Sequence, residues 1–147
     1  MGIIAAICIS EEKSTTKKPV PNAEVTAGYG IQGDAHAGPW HRQVSLLADE
    51  AVDLMREHGL TLKPGDFGEN LLTRDINLAV ATVGSTIRVG DSVLLEVTQL
   101  GKTCHEPCPI GQRLGTCIMP SHGIFARVLE GGRIRTGDSV AYATLIV

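Results

Sequence analysis

The chain has 147 residues, 43% of them hydrophobic and 20% charged, with a formal net charge of -3. That length suits a single domain over residues 1–147 with a real core, and the acidic balance excludes a general nucleic-acid binder, which would be basic. No apolar run approaches the roughly 20 residues needed to cross a bilayer, and Met1–Ile9 lacks the basic start and cleavage site of a signal peptide, so a cytoplasmic protein without a membrane partner is expected.

Met1-Gly2 invites a myristoylation reading, but Ala6 stands where that motif has Ser or Thr. Aromatic residues make up only 3%, so the core must be built from Ile, Val, Leu and Ala. In a reducing cytosol the four cysteines stay as thiols, which favours metal, cofactor or sulfur chemistry over structural disulfides.

Residues 3–9 read as a buried strand, with Cys8 as a small buried hydrophobe. Residues 10–22 are polar and proline-bearing, and predict a mobile surface loop. A glycine-rich loop follows, carrying Asp34, His36, Trp40, His41 and Arg42. Asp34, His36 and His41 form a candidate metal set, although their spacing matches no strong metal motif. The fork of donors on Arg42 suits an anion. An ordinary polar surface loop explains the same residues. Gln43–Leu47 turns apolar, as a strand entering a core does.

Residues 48–58 predict a helix, with Ala48, Ala51, Val52 and Met55 on one face. Asp49 and Glu50 suit its N-terminal end, and Arg56, His58 and Gly59 its C-terminal end. Pro64-Gly65 marks a tight turn. Asn70 either bonds a ligand or closes its own turn. Residues 76–100 read as a β-meander, with Ile76, Leu78 and Val80 alternating and Gly90-Asp91 as a hairpin turn. The sequence Gly-Asp-Ser-Val occurs at 90–93 and again at 137–140, as two strand-turn-strand devices. Residues 124–129 suit a strand, and 140–147 close the core. Many short strands with glycine turns and one good helix predict a mainly β barrel with a few short helices.

The densest chemistry lies at Gly101–Pro109, with Cys117 and His122 behind it. Three readings compete. Cys104, His105, Cys108, Cys117 and His122 include enough sulfur and nitrogen donors for a zinc site, but lack paired C-x2-C knuckles. Alternatively, a reactive thiolate carries sulfur or ligates a soft metal. Lys102 and His105 favour the thiolate of Cys104, and a helix starting after Cys108 would favour that of Cys108. A Cys104–Cys108 disulfide is the third reading, constrained by Pro107, which holds Glu106 extended.

The ordered set Gly33-Asp34-Ala35-His36-Ala37-Gly38, His41–Leu47, Pro64–Leu71, Arg88–Asp91, Gly101-Lys102-x-Cys104 and Arg127–Gly132 resembles the MOSC domain. That is the C-terminal domain of molybdenum-cofactor sulfurases, found also as a small stand-alone protein. The resemblance covers roughly residues 3–145 and includes no aminotransferase-like, pyridoxal-phosphate-dependent sulfurase domain. It implies a barrel of the pyruvate kinase type. It also implies a molybdopterin-type cofactor, with molybdenum or tungsten, or sulfur destined for one. Cys104 best matches the family's key cysteine, with Cys108 as rival catalytic thiol and Cys117 as a further metal ligand. Arg42, Arg74, Lys102 and Arg127 are the candidate cofactor-phosphate contacts, and His41 and Asn70 the candidate pterin contacts. The implied partners are molybdenum-cofactor biosynthesis proteins or molybdoenzymes. A second reading, a molybdenum-dependent reductase of N-hydroxylated bases, requires separate electron-transfer proteins. A third is a zinc-stabilised binding module without catalysis.

Overall fold

In a computed structural model the described residues are 2–12, 16–101 and 122–144. The predicted Lys102, Cys104, Cys108 and Cys117, the helix after Cys108 and the Cys104–Cys108 disulfide lie outside them.

The first strand, β1 (Gly2–Ile9), alternates as a two-sided strand should. Ile4 and Ile7 face one apolar cluster, and Ala6 and Cys8 face another. The remaining strands are β2 (Lys18–Val20), β3 (Asn22–Thr26), β4 (Gly30–Ile31), β5 (Val44–Ala48), β6 (Leu71–Arg74), β7 (Thr86–Val89), β8 (Val93–Leu100), β9 (Ile124–Glu130), β10 (Gly132–Arg135) and β11 (Ser139–Thr144). Their order is β11-β7-β8-β9-β5-β6-β1, and β1 pairs back onto β11. This closes a seven-stranded barrel, with β2 added on the flank of β1. The expected mainly β barrel with a few short helices is what the described residues form, with one α-helix and one 3-10 turn as its helical parts. A second, three-stranded sheet runs β10-β3-β4.

The closing seam is narrow. Gly2 pairs with Val140 and Ile3 with Ser139, reinforced by Ile4 N–H donating to the Asp138 carbonyl at 2.9 Å and Gly137 N–H to the Ile4 carbonyl at 2.8 Å. The two Gly-Asp-Ser-Val copies meet here, where Gly90 N–H donates to the Ser139 carbonyl at 2.8 Å. The first copy makes the β7–β8 hairpin. The second is a corner, since β10 and β11 belong to different sheets.

All barrel pairings are antiparallel except β5–β6. The chain between them holds α1 (Asp49–Arg56), within the predicted helical span. Val52 is buried, and Ala51 and Met55 pack beside it. With Leu47, Leu72, Phe67 and Phe125 they make an outer core between the barrel wall and its cover, while Val44, Leu46, Leu71 and Leu95 fill the barrel itself.

Two expectations change. Residues 78–80 form a 3-10 turn, not a strand. Asn77 caps it by accepting the Ala79 N–H at 3.0 Å, and capping of this kind outcompetes the ladder. Residues 10–22 are not simply an exposed loop. Lys18–Val20 pairs with β1, and Lys17 is buried.

Candidate functional site

The cysteine stretch leaves the described barrel at Gly101 and rejoins it at His122. Gly101 N–H donates to the Gly123 carbonyl at 2.6 Å, drawing the two ends together. Both lie at the barrel end where β5, β6 and β8 finish and β9 begins.

Arg42 sits on the outer wall, just before β5 begins. Its guanidinium carbon is 4.7 Å from the Trp40 ring centroid and 5.5 Å from that of Phe125. Trp40 is held in turn. Its indole N–H donates to the His36 carbonyl at 2.7 Å, its ring stacks on His36 at 6.3 Å, and His41 meets it edge-on at 5.8 Å. Two aromatic faces attract a cation without neutralising it. Arg42 Nε is buried and has no hydrogen-bond partner, and no carboxylate pairs with Arg42 among the described residues. A buried donor left in this way is costly unless a ligand satisfies it.

His41 neighbours this arginine and is tied to the cysteine stretch. Gln99 Nε2 donates to the Gly101 carbonyl at 2.7 Å, which fixes the amide so that Gln99 Oε1 faces His41 Nε2 at 2.8 Å. The proton then resides on His41 Nε2. Thr98 Oγ1 donates to the His41 carbonyl. The run Arg42, His41, Gln99, Gly101 thus connects this cation to the start of the thiol segment. Gln99, Trp40 and Phe125 were missing from the sequence-derived site. Trp40, two residues before Arg42, was the one available signal.

The other predicted ligand contacts among the described residues have partners within the protein. Asn70 is fully buried. Its Oδ1 accepts the Ser45 N–H at 2.9 Å, and its Nδ2 donates to the Cys8 carbonyl at 3.1 Å, stitching β5 to β1. Arg74 bridges Asp49 at 2.5 Å and Asp53 at 2.8 Å on α1. Hydrogen bonds from Arg74 first and then Arg56 hold the Asp53 carboxyl below its ordinary range. Arg127 meets Glu96 at 2.6 Å on the barrel's outer face. The structure therefore brings together His41 and Arg42, and does not bring Asn70 or Arg74 to them.

Asp34 and His36 do not assemble with His41 as a metal set. Lys17 Nζ, fully buried, meets Asp34 Oδ1 at 2.7 Å and His36 Nδ1 at 3.0 Å. Asp34 also accepts the Ser10 and His36 backbone N–H groups, each at 3.1 Å. The carboxylate is occupied by a cation from its own chain. Among the described residues no group of three His, Cys, Asp or Glu is placed to hold a metal ion. Cys8 is a structural thiol. Burial, then Glu69, pushes it up to about 12, so it stays protonated and unreactive.

A cavity of about 670 Å³ opens at the same barrel end, on the α1 side of Gly101. Leu54, Ile76, Leu78, Leu100 and Ile124 give it apolar walls, and Glu50, Asp75 and His122 stand among its lining residues.

A family model described as MOSC domain matches residues 33–141. No curated protein matches the chain. Among solved structures, the YuaD protein from Bacillus subtilis superposes with a TM-score of 0.75 at 20% identity, covering 95% of this chain and 94% of that one. YiiM from Geobacillus stearothermophilus gives 0.71 at 20% identity, covering 98% and 76%. YiiM from Escherichia coli gives 0.66 at 18%, covering 98% and 71%. At these identities the structures speak for the fold alone.

Proposed function

Because the chain belongs to the MOSC domain family, which is associated with the molybdenum cofactor, we propose that it binds a molybdopterin-type cofactor, or sulfur destined for one, through a thiolate of the Cys104–Cys117 stretch. The observation that carries this reading is Arg42, a cation set between two aromatic rings with an orphaned buried donor. A phosphate supplies the oxygens that such a fork lacks. The residues present therefore fit the anionic end of this cofactor.

When bound, the cofactor supplies a soft metal centre of the kind that takes thiolate ligands and exchanges sulfur. The chain's own residues do the rest. Arg42 binds the phosphate, and Trp40 and Phe125 keep water from its guanidinium faces. His41, its tautomer set by Gln99, presents an edge beside the same site. Gln99 fixes Gly101, from which the thiol segment departs. Cys104 is the thiol assigned to the metal or persulfide, with Cys108 the rival and Cys117 in support.

Anaerobic reconstitution with the cofactor, followed by pterin and molybdenum analysis, tests the reading. Arg42→Gln is expected to bind cofactor about 10- to 100-fold more weakly, the loss of one charge-assisted contact of about 1.5–3 kcal/mol. Cys104→Ser, or Cys108→Ser if the rival thiol serves, abolishes metal or sulfur loading. Unchanged loading in all three variants would overturn the proposal. Stoichiometric zinc with unfolding on chelation would instead indicate a structural metal module.

A further inference from the structure

We propose that the cavity beside Gly101 is a binding site for a small organic cation: a protonated amine-type head on an apolar body. Its volume, about 670 Å³, falls within the range of small-molecule sites. Its walls are apolar, and two of the large side chains lining it, Leu54 and Leu100, remain 56% and 50% exposed. Apolar side chains of that size left in water around a concavity favour an apolar occupant.

The charges at the cavity decide what kind. Glu50 and Asp75 line it, and among the described lining residues there is no lysine or arginine. Glu50 Oε2 accepts the Asp75 backbone N–H at 2.8 Å, which keeps the two acidic residues side by side. Arg74, next in the chain, does not neutralise them, because Asp49 and Asp53 hold it. An anion would meet two like charges here, and a neutral apolar ligand would leave them uncompensated. A cation with an apolar body satisfies both features at once.

Gly101 and His122 also line the cavity, so an occupant lies where the thiol segment leaves and rejoins the barrel. Its role as a substrate of that segment rests on the function proposed above, while the binding itself does not.

The test uses the full chain without cofactor. Phenethylammonium, neutral 2-phenylethanol and anionic 3-phenylpropionate are titrated by calorimetry, and amide shifts are followed by NMR. The cation is expected to bind about tenfold more tightly than the alcohol, as two partly screened carboxylates allow. The propionate is expected to bind more weakly still. Shifts should centre on Ala51, Ala79, Gly101 and Gly123. Glu50→Gln with Asp75→Asn should remove the cation's advantage and leave the alcohol unchanged. Gln keeps the acceptor for the Asp75 N–H, and Asn tolerates the left-handed backbone of residue 75, at φ 65. Arg42→Gln should have no effect, which separates this site from the cofactor reading. Equal affinity for cation and alcohol in the wild type, shifts centred elsewhere, an unchanged cation preference in the double variant, or no measurable binding would each overturn it.

Discussion

Arg42 and Arg74 carry the same charge and have opposite surroundings. Arg74 is consumed by two aspartates of α1, whereas Arg42 meets two aromatic rings and, among the described residues, no acid. Arg74→Met is therefore expected to cost stability, about 1 kcal/mol for a half-exposed ion-pair network, and to leave cofactor loading unchanged. Paired denaturation and loading measurements check it. Glu69 makes a separate prediction. It is buried, and accepts the Gly65 N–H at 2.7 Å and the Phe67 N–H at 3.2 Å. Burial nonetheless raises its carboxyl from the ordinary 4.5 to about 7. The folded state thus holds a proton that the unfolded chain releases. Stability from this group is complete below about pH 4.5 and is lost as pH rises through about 7, a change on the order of 3 kcal/mol. Glu69→Gln should flatten the urea midpoint between pH 5 and 8. The sequence marked Arg42 as an anion contact because guanidinium chemistry is local. It gave no sign that Arg74 would be neutralised, because Asp49 and Asp53 reach it only through the fold.

At the scale of elements, the segment after β1 behaves as a strap. Lys17 carries a buried charge to Asp34, its N–H donates to the Gly65 carbonyl at 2.8 Å, and β2 pairs with β1. Lys17→Met leaves a buried carboxylate without its cation and should destabilise the protein by about 3–5 kcal/mol. Thermal and chemical denaturation check this, and Asp34→Asn alongside Lys17→Met should cost less than the sum. Gly65 fixes the other side of the strap. It holds φ at +87, and a methyl there would collide with the Lys17 carbonyl oxygen. Gly65→Ala is expected to cost at least about 2 kcal/mol, from the left-handed backbone and the clash together. Continuous apolar runs exposed β1, β5 and β9, which bury side chains on both faces, and periodicity exposed α1, which has one buried face. It misread 10–22, where one lysine outweighs a polar composition. It misread 78–80 as well, where the Asn77 cap overrides an alternation that fits a strand.

At the scale of the molecule, ring closure rests on the short β1–β11 contact. Amides there, Ile4 and Gly137 included, should exchange faster than those of β8 and β9, which pair over most of their lengths. Hydrogen exchange resolved by residue checks it. The barrel itself was legible from many short strands and glycine turns. The surroundings of Arg42 were not, because Trp40, Gln99 and Phe125 come from three distant parts of the chain.

The count of strands in the ring has a consequence of its own. Seven is odd. Around a closed ring of odd number, directions cannot alternate at every step, so at least one neighbouring pair must run the same way. That pair is β5–β6, and parallel neighbours cannot be joined by a hairpin. Residues 49–70 are therefore an obligatory crossover. Parity, more than any local preference for helix, is why this small barrel carries α1 and a second core on its outside.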